Sequence, residues 1–119
     1  GFVMEVSAVK EKVHELYNLL ITHAKEEQAT SWLDITDCLL QVYKKIDTNP
    51  SPPVLVSKLV NYIYLTAVDA RLHFTPQEEG LINDLNHYAN EAGLNRQYRA
   101  NAVDKSQFYD LTEYMPIRR

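Results

Sequence analysis

The chain has 119 residues, enough for one domain with an ordinary hydrophobic core, and 45% of its residues are hydrophobic. Its net charge of −4 argues against a protein that binds polyanions over its whole surface. A single cysteine excludes an internal disulfide, no run approaches the roughly 18 apolar residues of a membrane span, and no segment has the pattern of a secretory signal, so we expect a soluble cytoplasmic protein.

The first two predicted elements are amphipathic helices. The first runs from about Glu5 to Lys25. Its apolar residues recur at steps of three and four and so share one face: Val6, Val9, Val13, Leu16 and Leu20. The second begins at Ser31, and its apolar face is formed by Ile35, Cys38, Leu39, Val42 and Ile46. Each face needs a partner to cover it, so the two helices predict a shared core.

Charged and polar residues mark both ends of the second helix. Ser31 and Asp34 have the spacing of a capping box, with Asp where Glu or Gln is usual. Asp34 and Asp37 lie near the predicted start, and Lys44 and Lys45 lie near the predicted end. The helix dipole favours this order. We therefore interpret these charges as local stabilisers of the helix.

A proline-rich break precedes the third helix. The sequence NPSPP at residues 49–53 removes backbone donors and disfavours the helical conformation before each proline. The third helix starts there, since proline is tolerated in a first turn, and runs to about Leu72. It is apolar around most of its circumference, so we expect the most buried helix. We expect the hydroxyls of Tyr62 and Tyr64 to stay near its rim.

The fourth helix has the clearest start and stop signals. Thr75 can cap it, Pro76 suits the first helical position, and Glu78 can close a capping box. Its apolar face is formed by Leu81, Leu85, Tyr88 and Ala92. Gly93 then supplies the left-handed residue that commonly ends a helix.

Four amphipathic helices joined by short loops predict an all-α fold: an antiparallel four-helix bundle with a C-terminal extended tail. We assign residues 1–94 to the bundle and residues 95–119 to a tail that packs partly on it. The last residues, from Met115 onward, are expected to be disordered. We expect a monomer.

Bundles of this kind often hold two metal ions through Glu-x-x-His motifs, and two related motifs occur here. Glu11 and His14 fall on the first helix, and Asp84 and His87 fall on the fourth. Helical spacing turns Glu11, His14 and His87 away from the apolar faces, so these groups cannot meet in the core. We therefore expect no metal site and no other cofactor.

The remaining reactive side chains do not indicate an enzyme. Cys38 lies on the apolar face of the second helix, where a buried thiol usually acts as a small hydrophobe. His23 and His73 have no partner at ligand spacing. The chain has only three glycines and no glycine-rich phosphate loop, and no serine lies on a tight elbow. We expect no catalytic activity.

The tail differs in composition from the body. Residues 1–92 hold 7 Lys and Arg against 13 Asp and Glu, whereas residues 93–119 hold 5 against 3. Single aromatics lie between these charges: Tyr98, Phe108, Tyr109 and Tyr114. The positive charge is too small to indicate binding to nucleic acid. Two interpretations stay open: the aromatics hold the tail on the bundle, or the segment presents its cations to a partner, and one tail can do both.

Four segments of the chain recur together in a known family. They are VHELYN at residues 13–18, LVNYIYLTA at 59–67, RLHFTPQEEGLINDL at 71–85 and GLNRQYRANAVDKSQF at 93–108. In this order and at these separations they closely resemble the immunity proteins of pediocin-like (class IIa) bacteriocins, of the enterocin A type. The resemblance covers almost all of the chain, and none of the four segments is a catalytic signature.

This resemblance implies a cytoplasmic bundle that protects a bacteriocin producer from its own peptide. The implied partner is the membrane mannose phosphotransferase receptor in complex with the bacteriocin, approached from the inside without modifying the toxin. Peripheral membrane contact and a minor membrane-associated fraction fit this role. In the family the C-terminal half decides which toxins are countered. The expected recognition residues are Arg96, Tyr98, Arg99, Lys105 and Phe108. The alternative is a helical adaptor or regulator that binds another soluble protein.

Overall fold

The structure is a computed structural model, and it describes residues 4–91, 105–110 and 112–117. It contains four α-helices in chain order: α1 (Val6–Glu27), α2 (Thr30–Lys45), α3 (Pro52–Ala70) and α4 (Pro76–Glu91). A short 3₁₀ helix (Lys105–Phe108) follows. The predicted all-α four-helix bundle is confirmed.

The four helices form a ring of antiparallel neighbours. α1 and α3 each pack against both α2 and α4. Two contacts between α1 and α4 show their relative direction: Lys12 reaches Asp84, and His23, further along α1, reaches Glu78, which comes earlier in α4. Short loops connect the other neighbours, which also run in opposite directions as a result.

All four helices contribute apolar side chains to one core. The aliphatic residues with no exposed surface are Val9, Val13, Leu16, Leu20, Ile35, Leu39, Val42, Ile46, Val56, Leu59, Ile63 and Leu85. Leu59 and Ile63 lie on the inner face of α3, as its pattern predicts. The outer face of α3 is not covered, because Leu65 is 39% exposed and Val68 is 76% exposed. A helix that is apolar nearly all round is therefore buried on one side only.

The start of α2 differs from the prediction. The helix begins at Thr30, and its N-cap residue Ala29 makes no side-chain capping bond. The predicted capping box of Ser31 and Asp34 is therefore wrong. The Asp34 carboxylate does not cap the helix, because it accepts a hydrogen bond from Lys105, 71 residues further along the chain.

The end of α3 comes two residues before the predicted one. Arg71 adopts a left-handed conformation with φ of 56°. The N–H of Leu72 then donates to the carbonyl of Ala67 at 2.9 Å, and the N–H of Arg71 donates to that of Val68 at 3.4 Å, which is a Schellman arrangement. Such an end usually carries Gly. Because arginine fills the position here, the sequence offered no stop signal.

The start of α4 matches its prediction. The N–H of Glu78 donates to Thr75 Oγ1 at 3.3 Å, and the N–H of Thr75 donates to Glu78 Oε1 at 2.9 Å. The capping box is confirmed, with Pro76 as the first residue of the helix. The predicted stop at Gly93 and the bundle–tail boundary after residue 94 lie outside the described residues.

Candidate recognition site

The five predicted recognition residues fall into two groups. Arg96, Tyr98 and Arg99 lie outside the described residues. Lys105 and Phe108 are described, and both pack against the bundle through the 3₁₀ helix. The part of the predicted site that the structure describes is therefore where the tail joins α2.

The side chain of Lys105 binds between two carboxylates of α2. Its Nζ lies 2.8 Å from Asp34 Oδ1 and 3.0 Å from Asp37 Oδ2, and it donates to the carbonyl of Pro116 at 2.8 Å. These contacts match the three donors of an ammonium group. The side chain is only 11% exposed. Burial lowers the pKa of Lys105, but the hydrogen bonds to the two carboxylates outweigh it, so the pKa is raised and the group stays charged.

Phe108 closes the space between α2 and α3. The ring is 2% exposed, and its centroid lies 5.7 Å from that of Tyr62 in an edge-to-face arrangement. Tyr62 is 7% exposed as a whole residue, whereas Tyr64 is 42% exposed, in keeping with its predicted place near the rim. Cys38 lies in the same region and is fully buried, and burial raises the pKa of its thiol. A thiol in this state does not act as a nucleophile at neutral pH.

A second lysine holds the tail at the other end of α2. Lys45 Nζ donates to the carbonyl of Phe108 at 2.7 Å and also contacts the carboxylate of Glu113. The hydrogen bond from Lys45 lowers the pKa of Glu113. The sequence predicted only that Asp34, Asp37 and Lys45 stabilise the helix dipole of α2. In the structure these three side chains also bind the tail.

The tail reverses direction beside Lys45, between Phe108 and Glu113. Asp110 Oδ1 accepts hydrogen bonds from the N–H of Thr112 at 2.8 Å and from its hydroxyl at 2.6 Å. The N–H of Asp110 in turn donates to Glu113 Oε1 at 2.9 Å. This turn brings Pro116 back to Lys105. We call residues 105–110 and 112–117 the C-terminal hairpin.

A polar cleft of about 670 Å³ borders the hairpin. It lies between α2 and α3, and its lining residues are Ser31, Asp34, Tyr62, Thr66, Asp69, Ala70 and Lys105. Asp34 and Lys105 already bind each other in its wall. The lining offers hydroxyls, carboxylates and an ammonium group, which can make polar contacts with a partner.

His23 is a connecting residue that sequence reasoning missed. Its Nε2 lies 2.7 Å from Glu78 Oε2, and its Nδ1 lies 3.0 Å from Glu27 Oε2. Its ring stacks on Trp32 with centroids 4.6 Å apart. Burial lowers the pKa of His23, but the hydrogen bonds to Glu78 and Glu27 outweigh it and raise the pKa. The contact with Glu27 has helical spacing, whereas the more buried Glu78 is 55 residues away and has no local signal.

The residues of the two Glu-x-x-His-like motifs lie on the outside of the bundle. Glu11, His14 and His87 are exposed, as their helical spacing predicts, and Asp84 pairs with Lys12. Among the described residues, no group of three or more His, Cys, Asp or Glu side chains is placed to hold a metal ion. In the same part of the chain, no helix combines the length and apolar character that crossing a bilayer needs.

Comparison with known proteins gives consistent matches. The model of the bacteriocin immunity protein family matches residues 8–90. The chain is 42% identical over 100 residues to the probable leucocin-A immunity protein of Leuconostoc gelidum, covering 84% of this chain and 86% of that protein. It is 44% identical over 96 residues to the probable mesentericin-Y105 immunity protein of Leuconostoc mesenteroides, covering 81% and 82%. No solved structure gives a significant match.

Proposed function

The chain belongs to the bacteriocin immunity protein family, and from this premise we propose that it protects a producing cell from a pediocin-like bacteriocin by acting on the toxin-engaged receptor. The observation that carries the proposal is the similarity to two immunity proteins over more than four fifths of the chain. The family resemblance seen in the sequence is confirmed by these matches.

The proposed mechanism is binding without chemistry. The partner is the membrane mannose phosphotransferase receptor with bacteriocin engaged, and the protein reaches it from the cytoplasmic side. A mainly cytoplasmic location with a minor membrane-associated fraction follows from this role. The burial of the Cys38 thiol supports a protein that leaves the toxin intact.

Recognition is assigned to the C-terminal part of the chain. Arg96 and Arg99 supply cations that can pair with receptor carboxylates or lipid phosphates, and Tyr98 lies between them in sequence. Lys105 and Phe108 complete the proposed set and join it to the bundle through the contacts with α2 and Tyr62. The family model matches residues 8–90, so these five residues lie outside the matched range.

To test the proposal, the chain is expressed in a bacteriocin-sensitive strain, and the strain is then challenged with a panel of class IIa peptides. We expect higher survival against at least one peptide and no protection against a pore-forming peptide that does not use this receptor. Purified protein incubated with the countered peptide should leave its mass and potency unchanged. Lack of protection against the whole panel would contradict the proposal and favour a helical adaptor.

A further inference from the structure

One end of the bundle is held by an imidazole that has a carboxylate on each of its nitrogens. His23 Nε2 lies 2.7 Å from Glu78 Oε2, and His23 Nδ1 lies 3.0 Å from Glu27 Oε2. A neutral imidazole has one N–H and one lone pair, so it donates to one carboxylate and turns its lone pair toward the other. The imidazolium donates to both. This arrangement therefore fits the protonated ring.

Glu78 links this imidazole to the backbone at the start of α4. Its side chain is 3% exposed. While Oε2 faces His23, Oε1 accepts the N–H of Thr75 at 2.9 Å in the capping box. A buried carboxylate needs a compensating charge, which the protonated His23 supplies. When His23 loses its proton, Glu78 is left charged in a site shielded from water, and a move of this carboxylate into water breaks its bond to Thr75.

Aromatic contacts extend the link to α2 and to the connection between α3 and α4. The His23 ring stacks on Trp32 with centroids 4.6 Å apart, and Phe74 meets Trp32 edge-to-face at 5.6 Å. Trp32 has no exposed surface, and its Nε1 has no hydrogen-bond acceptor among the described residues. The indole is therefore held by packing, and the imidazole supplies one of its packing faces.

We propose that His23 and Glu78 form a pH-sensitive switch: the protonated ring fixes the start of α4 to α1 and α2, and loss of its proton releases the first turn of α4 together with Phe74. The charged groups that face His23 are Glu78 from α4 and Glu27 from α1 itself. α2 faces the ring with the uncharged indole of Trp32. The switch is a property of the fold and does not depend on the proposed function.

The direction of the switch agrees with the pKa of His23. Burial lowers this pKa, but the hydrogen bonds to Glu78 and Glu27 outweigh burial and raise it above the ordinary value of 6.5. The closed form is therefore fully favoured below about pH 6.5, and opening increases as the pH rises through the folded-state pKa. The aliphatic core does not involve these side chains, so we expect a local opening that precedes unfolding of the bundle.

Amide exchange in the wild type, followed by NMR and corrected for the intrinsic rate at each pH, tests the switch. The reporter is the Glu79 amide, which donates to the Thr75 carbonyl at 2.9 Å. The Leu55 amide has the equivalent place at the start of α3 and donates to the Ser51 carbonyl at 3.2 Å. The amide of Leu39, in the middle of α2, reports unfolding of the whole bundle.

Between about pH 5.5 and 8.5 we expect the protection of the Glu79 amide to fall by about tenfold or more, as for the loss of a hydrogen bond to a charged group. It should stay below the protection of Leu39 at each pH, while that of Leu55 stays constant. Protection of Glu79 that ignores pH, or that equals the protection of Leu39 throughout, would overturn the proposal. An equal fall at Leu55 would also overturn it, because the effect would then not be confined to the end that holds His23.

Two variants test whether the effect comes from His23. His23→Gln cannot be protonated, so the protection of the Glu79 amide should already be low at about pH 5.5 and should not change with pH. His14→Gln is the matched control, because His14 is an exposed histidine of the same helix and lies against Tyr43. It should keep the wild-type profile. A wild-type profile in His23→Gln would contradict the switch.

Quenching of Trp32 fluorescence by acrylamide is a second measurement, and it needs no variant. The chain has one tryptophan, and its side chain has no exposed surface in the closed form. We expect the quenching constant of the wild type to rise over the pH range in which the protection of Glu79 falls. A constant that stays flat over this range would refute the release of Phe74 from Trp32, whether or not His23→Gln folds.

Discussion

His23 joins three elements of the bundle. From α1 it contacts Glu78 at the start of α4 and stacks on Trp32 of α2, while Glu27 lies one turn further along its own helix. Glu78 is 2% exposed and also closes the capping box with Thr75. When the imidazole is protonated, its two nitrogens donate to the carboxylates of Glu27 and Glu78. Its positive charge then compensates the negative charge of the buried Glu78.

This arrangement predicts a pH-dependent contribution to stability. The pKa of His23 is raised above its ordinary value of 6.5, so the stability gained from protonation is fully present below about pH 6.5 and is lost as the pH rises through the folded-state pKa. The difference in unfolding free energy between wild type and His23→Gln should therefore shrink as the pH rises from about 5.5 to 8.5. Urea unfolding at four pH values measures it.

A smaller effect is expected when only the more exposed partner is removed. Glu27→Gln leaves the contact with Glu78 in place and should reduce the pH dependence only in part, because exposed pairs contribute little. A difference between wild type and His23→Gln that stays constant over the whole pH range would show that protonation of His23 does not stabilise the fold.

At the scale of elements, α3 provides the largest single test of the core. Leu59 and Ile63 are fully buried, so truncating either to Ala should cost about 2–5 kcal/mol. Val68 lies on the same helix but is 76% exposed, and Val68→Ala should change stability by about 0.5 kcal/mol or less. Denaturant unfolding of the three variants compares them. Similar costs at buried and exposed positions would mean that the core face of α3 is misplaced.

The capping box of α4 gives a second prediction at this scale. Thr75→Ala removes the acceptor for the N–H of Glu78 and should cost about 0.5–2 kcal/mol. Thr22 lies exposed inside α1 and bonds only the carbonyl four residues earlier, so Thr22→Ala serves as the control and should cost less. Thermal melting distinguishes them, and equal melting temperatures would argue against a capping role.

The helices were predictable because their signals are local. Apolar spacing placed the inner faces of α1 to α3, and Thr75 with Glu78 placed the start of α4. The role of the charges on α2 was not predictable in this way. Asp34 and Asp37 have the positions that a helix dipole favours, but their partner Lys105 lies 71 and 68 residues away. Nothing in the spacing along α2 indicates such a contact.

Contacts between residues far apart in sequence also could not be foreseen for the five predicted recognition residues. They were grouped because they share one stretch of sequence, which resemblance placed at the recognition end. Lys105 and Phe108 do not form an exposed patch. Lys105 binds carboxylates of α2, and the ring of Phe108 packs against Tyr62. A charge or an aromatic in a tail has the same appearance in sequence whether it faces the bundle or a partner.

At the scale of the whole molecule, stability and recognition are assigned to different parts of one chain. The bundle buries the aliphatic core, and the C-terminal hairpin attaches to α2 through two lysines and one phenylalanine. We propose that the cations of residues 92–104 serve recognition and are not needed for folding of the bundle. The central claim is therefore that protection can be removed without unfolding the bundle.

The most direct measurement pairs melting temperature with survival under toxin challenge for Arg96→Gln/Arg99→Gln. A matched control, Lys10→Gln/Lys12→Gln, removes two cations from α1. We predict that the melting temperature of the arginine variant stays within about 3 °C of the wild type, since exposed ion pairs contribute only about 0–1 kcal/mol, while its protection falls and the control still protects. Full protection by the arginine variant at normal expression, or lost protection together with a collapsed melting temperature, would contradict the claim.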